Sequence, residues 1–309
     1  MFSAVRGLLT NRGAQIRTGD LTDPNGARYQ AAPRPDARSV FHTAMVASVP
    51  AQTADILADL DTLLEPSRFD DYGPNGLQVP GAAQTTTVAT GVSASVELFE
   101  RAAAEQAQLL IVHHGLFWGS SPGPIDAPLK RRLQILFDAD IALAAYHLPL
   151  DAHLTHGNNA LIAKALGATQ LTPFAPHHGE PIGFIATLLG PGADTNDEGV
   201  LAQDLFTRVR ELTARDPLVF DAGPATVRRL AIVSGGGSDY LADAIAQGAD
   251  AFLTGEPTER VMATAREQGI HYIAAGHYAT ETFGVKALGE HVAERFGVRH
   301  VFLDVPNPI

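Results

Sequence analysis

The chain has 309 residues, 45% of them hydrophobic, enough to bury a large core in one domain or two lobes. Its formal charge of -12 at pH 7 argues against a surface that attracts nucleic acid, because phosphate affinity comes mostly from lysine and arginine. The absence of cysteine excludes disulfides, thiolate metal sites and thiol nucleophiles, so any metal site must be built from imidazole and carboxylate.

Residues 1–44 supply breakers such as Pro24-Asn25-Gly26 and Pro33-Arg34-Pro35 without apolar periodicity, so we expect a disordered leader. Six arginines against three aspartates fit an organelle transit peptide poorly, and Met45 is expected to be the true first residue. No apolar run reaches the roughly 18 residues that span a bilayer, and no signal-peptide pattern opens the chain. The expected location is the cytoplasm.

From Thr53 the spacing of Ile56, Leu57, Leu60, Leu63 and Leu64 predicts a helix, capped by Thr53 and stopped by Pro66. Thr87–Val92 reads as a strand, Val96–Ala107 as a helix, and Leu109–Val112 as a buried strand running into His113-His114-Gly115. A helix over Leu129–Phe137 and a strand over Ile141–Tyr146 lead to His147-Leu148-Pro149-Leu150-Asp151, read as a turn before a helix starting near Asn158-Asn159. The stretch from Thr172 to Pro224, richer in glycine and proline, opens a second lobe. That lobe continues with a strand at Leu230–Val233, the turn Gly235-Gly236-Gly237 and a helix over Asp239–Gln247. A strand at Ala251–Leu253, a helix over Val261–Gln268 and a strand at Ile270–Ala274 follow. The expected fold is therefore α/β, with lobes at 45–171 and 172–309, each holding a mostly parallel, helix-covered sheet.

Ligands of open α/β sheets gather where strands end, and three clusters lie at such ends. His113 and His114 are either a locally satisfied pair or two ligands brought together by a bend at Gly115. His147 and Asp151 flank Pro149, with Asp151 either a ligand or a turn residue. His277 and Glu281 are four apart, so a helix there turns both the same way, as ligands or as a solvated pair. Together the clusters fit a two-metal site in the cleft between the lobes better than three coincidences. The triple glycine reads as a tight turn, and His153, His156, His177 and His178 as surface or supporting groups. Trp118 reads as packing.

Five segments carry a family pattern: Asp71-Tyr72-Gly73-Pro74-Asn75-Gly76-Leu77-Gln78-Val79, His113-His114-Gly115, His147 to His153, Thr254-Gly255-Glu256 and Gly276-His277-Tyr278-Ala279-Thr280-Glu281. In this order, over about 53–309, they resemble the Nif-three-like dinuclear-metal family, often labelled GTP cyclohydrolase I type 2. The resemblance implies two divalent ions per chain (Zn, Fe, Mn, Co or Ni), one on His114, Asp151 and Glu281 and the other on His113, His277 and Glu281. His147 would lie close by, Tyr278 replaces a second histidine of some relatives, and the assembly would be a homohexamer. Such ions would activate water for hydrolysis, with Glu281 and His147 as candidate catalytic groups. Under the family label the substrate is GTP, which Thr254, Glu256 or the glycine turn would help to hold. The alternatives are a phosphate-ester hydrolase, a metal-binding scaffold or metallochaperone, and a nucleic-acid-binding ring.

Overall fold

In the computed structural model, which describes residues 50–119, 123–190 and 199–309, β1 (Ala51–Gln52) leads into α1 (Thr53–Leu64). The expected leader and Met45 lie outside the described residues. Thr53 is the first residue of α1 and does not cap it. Its hydroxyl donates to the Ala82 carbonyl at 2.7 Å and meets the Thr85 hydroxyl at 2.9 Å, pinning the helix start to the following strands. Glu65, at φ 48°, then ends the helix ahead of Pro66.

The first half continues with β2 (Gly76–Val79), β3 (Gln84–Thr85), β4 (Thr87–Ser93), α2 (Val96–Ala104), β5 (Leu109–His114), α3 (Ala127–Asp138) and β6 (Ala142–Ala145). α4 (Leu148–Ala152) and α5 (Asn158–Ala165) follow. Ser95 caps α2 by accepting from Leu98 N, and Asp126 caps α3 by accepting from Leu129 N. β4, β5 and β6 are parallel neighbours, and β2 closes one edge antiparallel to β6. Side chains of β4, β5 and β6 are buried almost throughout, as strands covered on both faces must be.

The second half brings β7 (Ala168–His177), β8 (Glu180–Leu188), β9 (Val200–Leu201), α6 (Ala202–Thr213), β10 (Leu218–Phe220) and β11 (Thr226–Val227). β12 (Arg229–Val233), α7 (Leu241–Ala246), β13 (Ala251–Thr254), α8 (Val261–Gln268) and β14 (His271–Ala274) come next, then α9 (His277–Thr280), α10 (Thr282–Phe296) and β15 (Arg299–Phe302). Six of these strands form one sheet in the order β10-β14-β13-β12-β8-β7. This sheet corrects the mostly parallel expectation. β12, β13 and β14 are parallel, but β10, β8 and β7 pair antiparallel.

The cause is local. His178 (φ 48°) and Gly179 (φ 98°) join β7 to β8 through a two-residue hairpin with both residues in the left-handed region. β7 carries Pro173 and Pro176, which lack the N–H a central strand needs, and it lies at the sheet edge.

Residues 172–309 do not all stay with the second sheet. β15 pairs parallel with β4, giving the first sheet the order β15-β4-β5-β6-β2. α10 buries Val285, Leu288 and Val292 in the same apolar cluster as Val88 and Val92 of β4. The end of the chain thereby carries the segment holding His277 and Glu281 toward the ends of β5 and β6.

Candidate metal centre

Four histidines and two carboxylates converge where β5, β6, β12 and β14 end. β5 delivers His113, fully buried, and His114, partly open. The two rings lie 4.7 Å apart, so adjacent residues do reach one site. β6 runs into His147, and the next five residues, Leu148–Ala152, form α4 instead of the expected turn. Pro149 sits in its first turn, where the missing N–H costs nothing, and buries Asp151. His277 opens α9, and Glu281 is the junction residue between α9 and α10, at φ -111°.

Glu281 is the hub. One carboxylate oxygen, Oε1, lies 3.1 Å from His277 Nε2 and 3.5 Å from His113 Nε2, and the other lies 3.2 Å from His114 Nε2. Asp151 Oδ2 is 3.5 Å from His113 Nε2. Donor atoms of His114, His277 and Glu281 fall within 4.8 Å of one another, as do those of His113, His114 and His147. The contacts join His113 to Asp151 and His114 to His277, whereas the resemblance joined His114 to Asp151.

Each ring is held by its other nitrogen. His113 Nδ1 lies 3.0 Å from the Tyr146 carbonyl, His147 Nδ1 lies 2.7 Å from Asp71 Oδ1, and His277 Nδ1 meets Glu256. These partners only accept, so Nδ1 donates to each and Nε2 is the nitrogen turned into the site. His114 Nδ1 pairs with the Ser93 hydroxyl at 2.9 Å, across the β4/β5 register that sets Ser93 opposite His114. Asp151 Oδ1 accepts from Asn158 at 2.8 Å and from the Ser234 hydroxyl at 3.0 Å, leaving Oδ2 for the site.

The electrostatics match a set that binds cations. Burial pulls the His113 imidazole down, but the charges of Asp151 and then Glu281 outweigh it and raise its pKa to about 9. His277 is also raised to about 9, because its hydrogen bond to Glu281 and the charges of Glu281 and Glu256 overcome burial. Burial would raise the Glu281 carboxyl, yet the charges of His113 and His114 hold it well below the usual carboxylate range. For His114, burial prevails and the pKa falls. Two buried atoms, His113 Nε2 and Glu281 Oε2, have no hydrogen-bond partner. Such orphans are costly unless something outside the chain completes them. An imidazole and carboxylate set without sulfur suits a divalent ion of the zinc, iron, manganese, cobalt or nickel kind.

Sequence reasoning missed the supporting shell. Asp71 and Asn75 were legible only as part of the family pattern. Asp71 also accepts from Leu148 N and Asn75, while Asn75 accepts from His147 N, so together they fix the turn into α4. Burial would raise the Asp71 carboxyl, but its hydrogen bond to His147 brings it below the ordinary value. Glu256, read in the sequence as a group that would help hold substrate, pairs with His277 Nδ1 and orients that ring. Thr254 is fully buried and ties the glycine turn, donating to Gly235 O and accepting from Gly237 N. Gly235 has φ +61°, and a Cβ there would fall 2.1 Å from Glu281 Oε1, so only glycine lets this turn approach the hub.

Trp118 is corrected from packing to cavity wall. It is 47% exposed, lies edge-on to His147 at 5.3 Å and lines the cavity beside the histidines. His177 lies 4.8 Å from Tyr72 at the rim, whereas His153 and His156 stack together away from the cavity lining, next to His291.

Fold and site define an α/β protein with a buried histidine and carboxylate group at converging strand ends, able to hold metal. The chain belongs to the Duf34/NIF3 (NGG1p interacting factor 3) family, whose model matches residues 51–308. It is 41% identical over 253 residues to the "GTP cyclohydrolase 1 type 2 homolog" of Pseudomonas aeruginosa, covering 82% of this chain and 97% of that one. The protein of the same name from Yersinia pestis is 42% identical over 250 residues, covering 81% and 96%. Among solved structures, TTHA1606 from Thermus thermophilus superposes with a TM-score of 0.76 at 40% identity, covering 84% of this chain and all of that one. Protein ybgI, described as of unknown function, gives 0.76 at 37% with the same coverage. No helix among the described residues is long and apolar enough to cross a membrane.

Proposed function

We propose that this chain is a metal-dependent hydrolase in which His113, His114, Asp151, His277 and Glu281 would hold two divalent ions. It works on a small molecule, in the cytoplasm, as a homohexamer of the kind the family resemblance implies. The orphaned pair His113 Nε2 and Glu281 Oε2 carries this reading, because two buried ligand atoms without partners lie among further ligand atoms, and Glu281 lines the adjoining cavity.

Divalent ions held there would supply Lewis acidity, making water acidic enough to attack near neutral pH and polarising the bond under attack. The chain's own groups do the rest. Glu281 spreads its two oxygens between His113 and His277 on one side and His114 on the other. Asn158 and Ser234 aim Asp151, and Ser93, Tyr146 and Glu256 fix three imidazoles so that no reorientation is needed during the reaction. His147, locked by Asp71 with Nε2 turned toward the other rings, is placed to take a proton from the attacking group and return it to the leaving group.

The test is metal content per chain, by plasma mass spectrometry on untagged protein purified without chelators, native and Glu281→Ala. Near two ions per native chain, falling steeply in the variant, is the expected result for that pair. A native protein that holds no metal and takes up none when supplied would overturn the reading.

A further inference from the structure

Beside the ligand atoms lies a cavity of about 290 Å³. Its lining includes aromatic and apolar side chains, Tyr72, Trp118, Tyr240, Ile182 and Val233. Tyr72 and Trp118 are positioned as a pair. Gly119 N donates to Tyr72 O at 2.6 Å, and Gly73 packs so closely on Phe117 O that a Cβ would fall 2.5 Å away. Both rings are half exposed, Tyr72 at 55% and Trp118 at 47%, although burying them elsewhere would have been favourable.

Apart from its imidazoles, the charges around the cavity are one-sided. Among the described residues no lysine or arginine lines it, and the internal segments 120–122 and 191–198 contain neither residue type. Asp151 and Glu281 line it, while Asp71 and Glu256 stand behind His147 and His277. A triphosphate would therefore meet carboxylates and imidazoles but no lysine or arginine, whereas phosphate recognition normally recruits arginine, lysine or a glycine-rich phosphate loop. The turn Gly235-Gly236-Gly237 does not supply that loop. Gly235 N donates to Thr280 and Gly237 N to Thr254.

We infer that the cavity selects an uncharged planar heteroaromatic ring, stacked against Trp118 and Tyr72 with its polar edge toward the metal ligands, and that it does not grip a polyphosphate chain. This rests on the reading of the site as a metal-dependent hydrolase and narrows its substrate to ring-bearing compounds recognised through the ring.

Trp118 is the only tryptophan in the chain, so its fluorescence reports the cavity alone. The experiment titrates the full-length, metal-supplied protein with hypoxanthine, guanosine, GTP and inorganic triphosphate, with metal content measured on the same sample. Hypoxanthine and guanosine should quench saturably, GTP should bind within about threefold of guanosine, and inorganic triphosphate should neither quench nor displace guanosine. In Trp118→Leu, guanosine affinity by equilibrium dialysis should fall about tenfold at unchanged metal content. The inference is overturned if neither ring compound quenches, if GTP binds more than about thirtyfold tighter than guanosine, if inorganic triphosphate displaces guanosine, or if Trp118→Leu binds guanosine as the native chain does. A sample that carries metal but fails these tests overturns only the ring preference. One that takes up no metal overturns the hydrolase reading.

Discussion

His113 and His277 are both held at about 9 by Glu281 and a second carboxylate, yet His113 is fully buried and 28% of the His277 side chain is exposed. At the buried end, His113 is sealed from solvent, and Asp151 and Glu281 expose only a small part of their side chains to the cavity. At the open end, His114, His147 and His277 border a cavity where water can replace a missing partner. The same residue types thus face different penalties when a partner is lost, and the penalty follows burial, not identity.

Removing one ligand from each end tests this contrast. Asp151→Ala should strip metal from the buried end, bringing the content toward about one ion per chain, and leave His113 facing Glu281 alone. It should also destabilise the metal-free protein by about 3 kcal/mol in denaturant titration, as breaking a buried charged set does. His277→Ala should lower metal affinity too, but cost stability less than about 1 kcal/mol because its side chain reaches solvent. Equal losses would break the comparison.

A pH series sharpens it. Both imidazoles hold protons more strongly in the folded, metal-free chain than their ordinary value of 6.5, so their contribution is complete below 6.5 and is lost as pH rises through about 9. The melting temperature of the metal-free protein should fall across that window. Metal-supplied protein should not show the fall, because the ligating imidazoles are already neutral, and chelator competition should show metal affinity rising over the same window. A metal-free melting temperature that is flat from 6.5 to 9 would count against the coupled network.

The smallest expected effect is that of Ser234→Ala. It removes one of two donors to Asp151 Oδ1 while Asn158 keeps the other, so metal affinity should drop about tenfold with little change in melting. An unchanged affinity would show that Asn158 alone aims Asp151.

Much of this was legible in the sequence where neighbours in the chain are neighbours in space. The β4-α2-β5 unit, the strand into His147 and the spacing of His277 and Glu281 follow from local periodicity. The β7-β8 hairpin escaped because its signal, His178-Gly179, is weaker than an Asn-Gly turn and sits among prolines that read as loop. α4 escaped because five residues carry too little periodicity to announce a helix.

The sequence by itself determined the ligand chemistry. A chain without cysteine, with histidines and acids placed after apolar strands, leaves only nitrogen and oxygen donors at strand ends. Only the tertiary structure decided which nitrogen of each ring faces the site, that Asp71 and Glu256 stand behind His147 and His277, and that Trp118 walls a cavity. Those facts depend on contacts between residues far apart in the chain, such as Asp71 with His147 and Ser234 with Asp151, 76 and 83 positions distant. Strand pairing and burial set those contacts, and no local pattern encodes them.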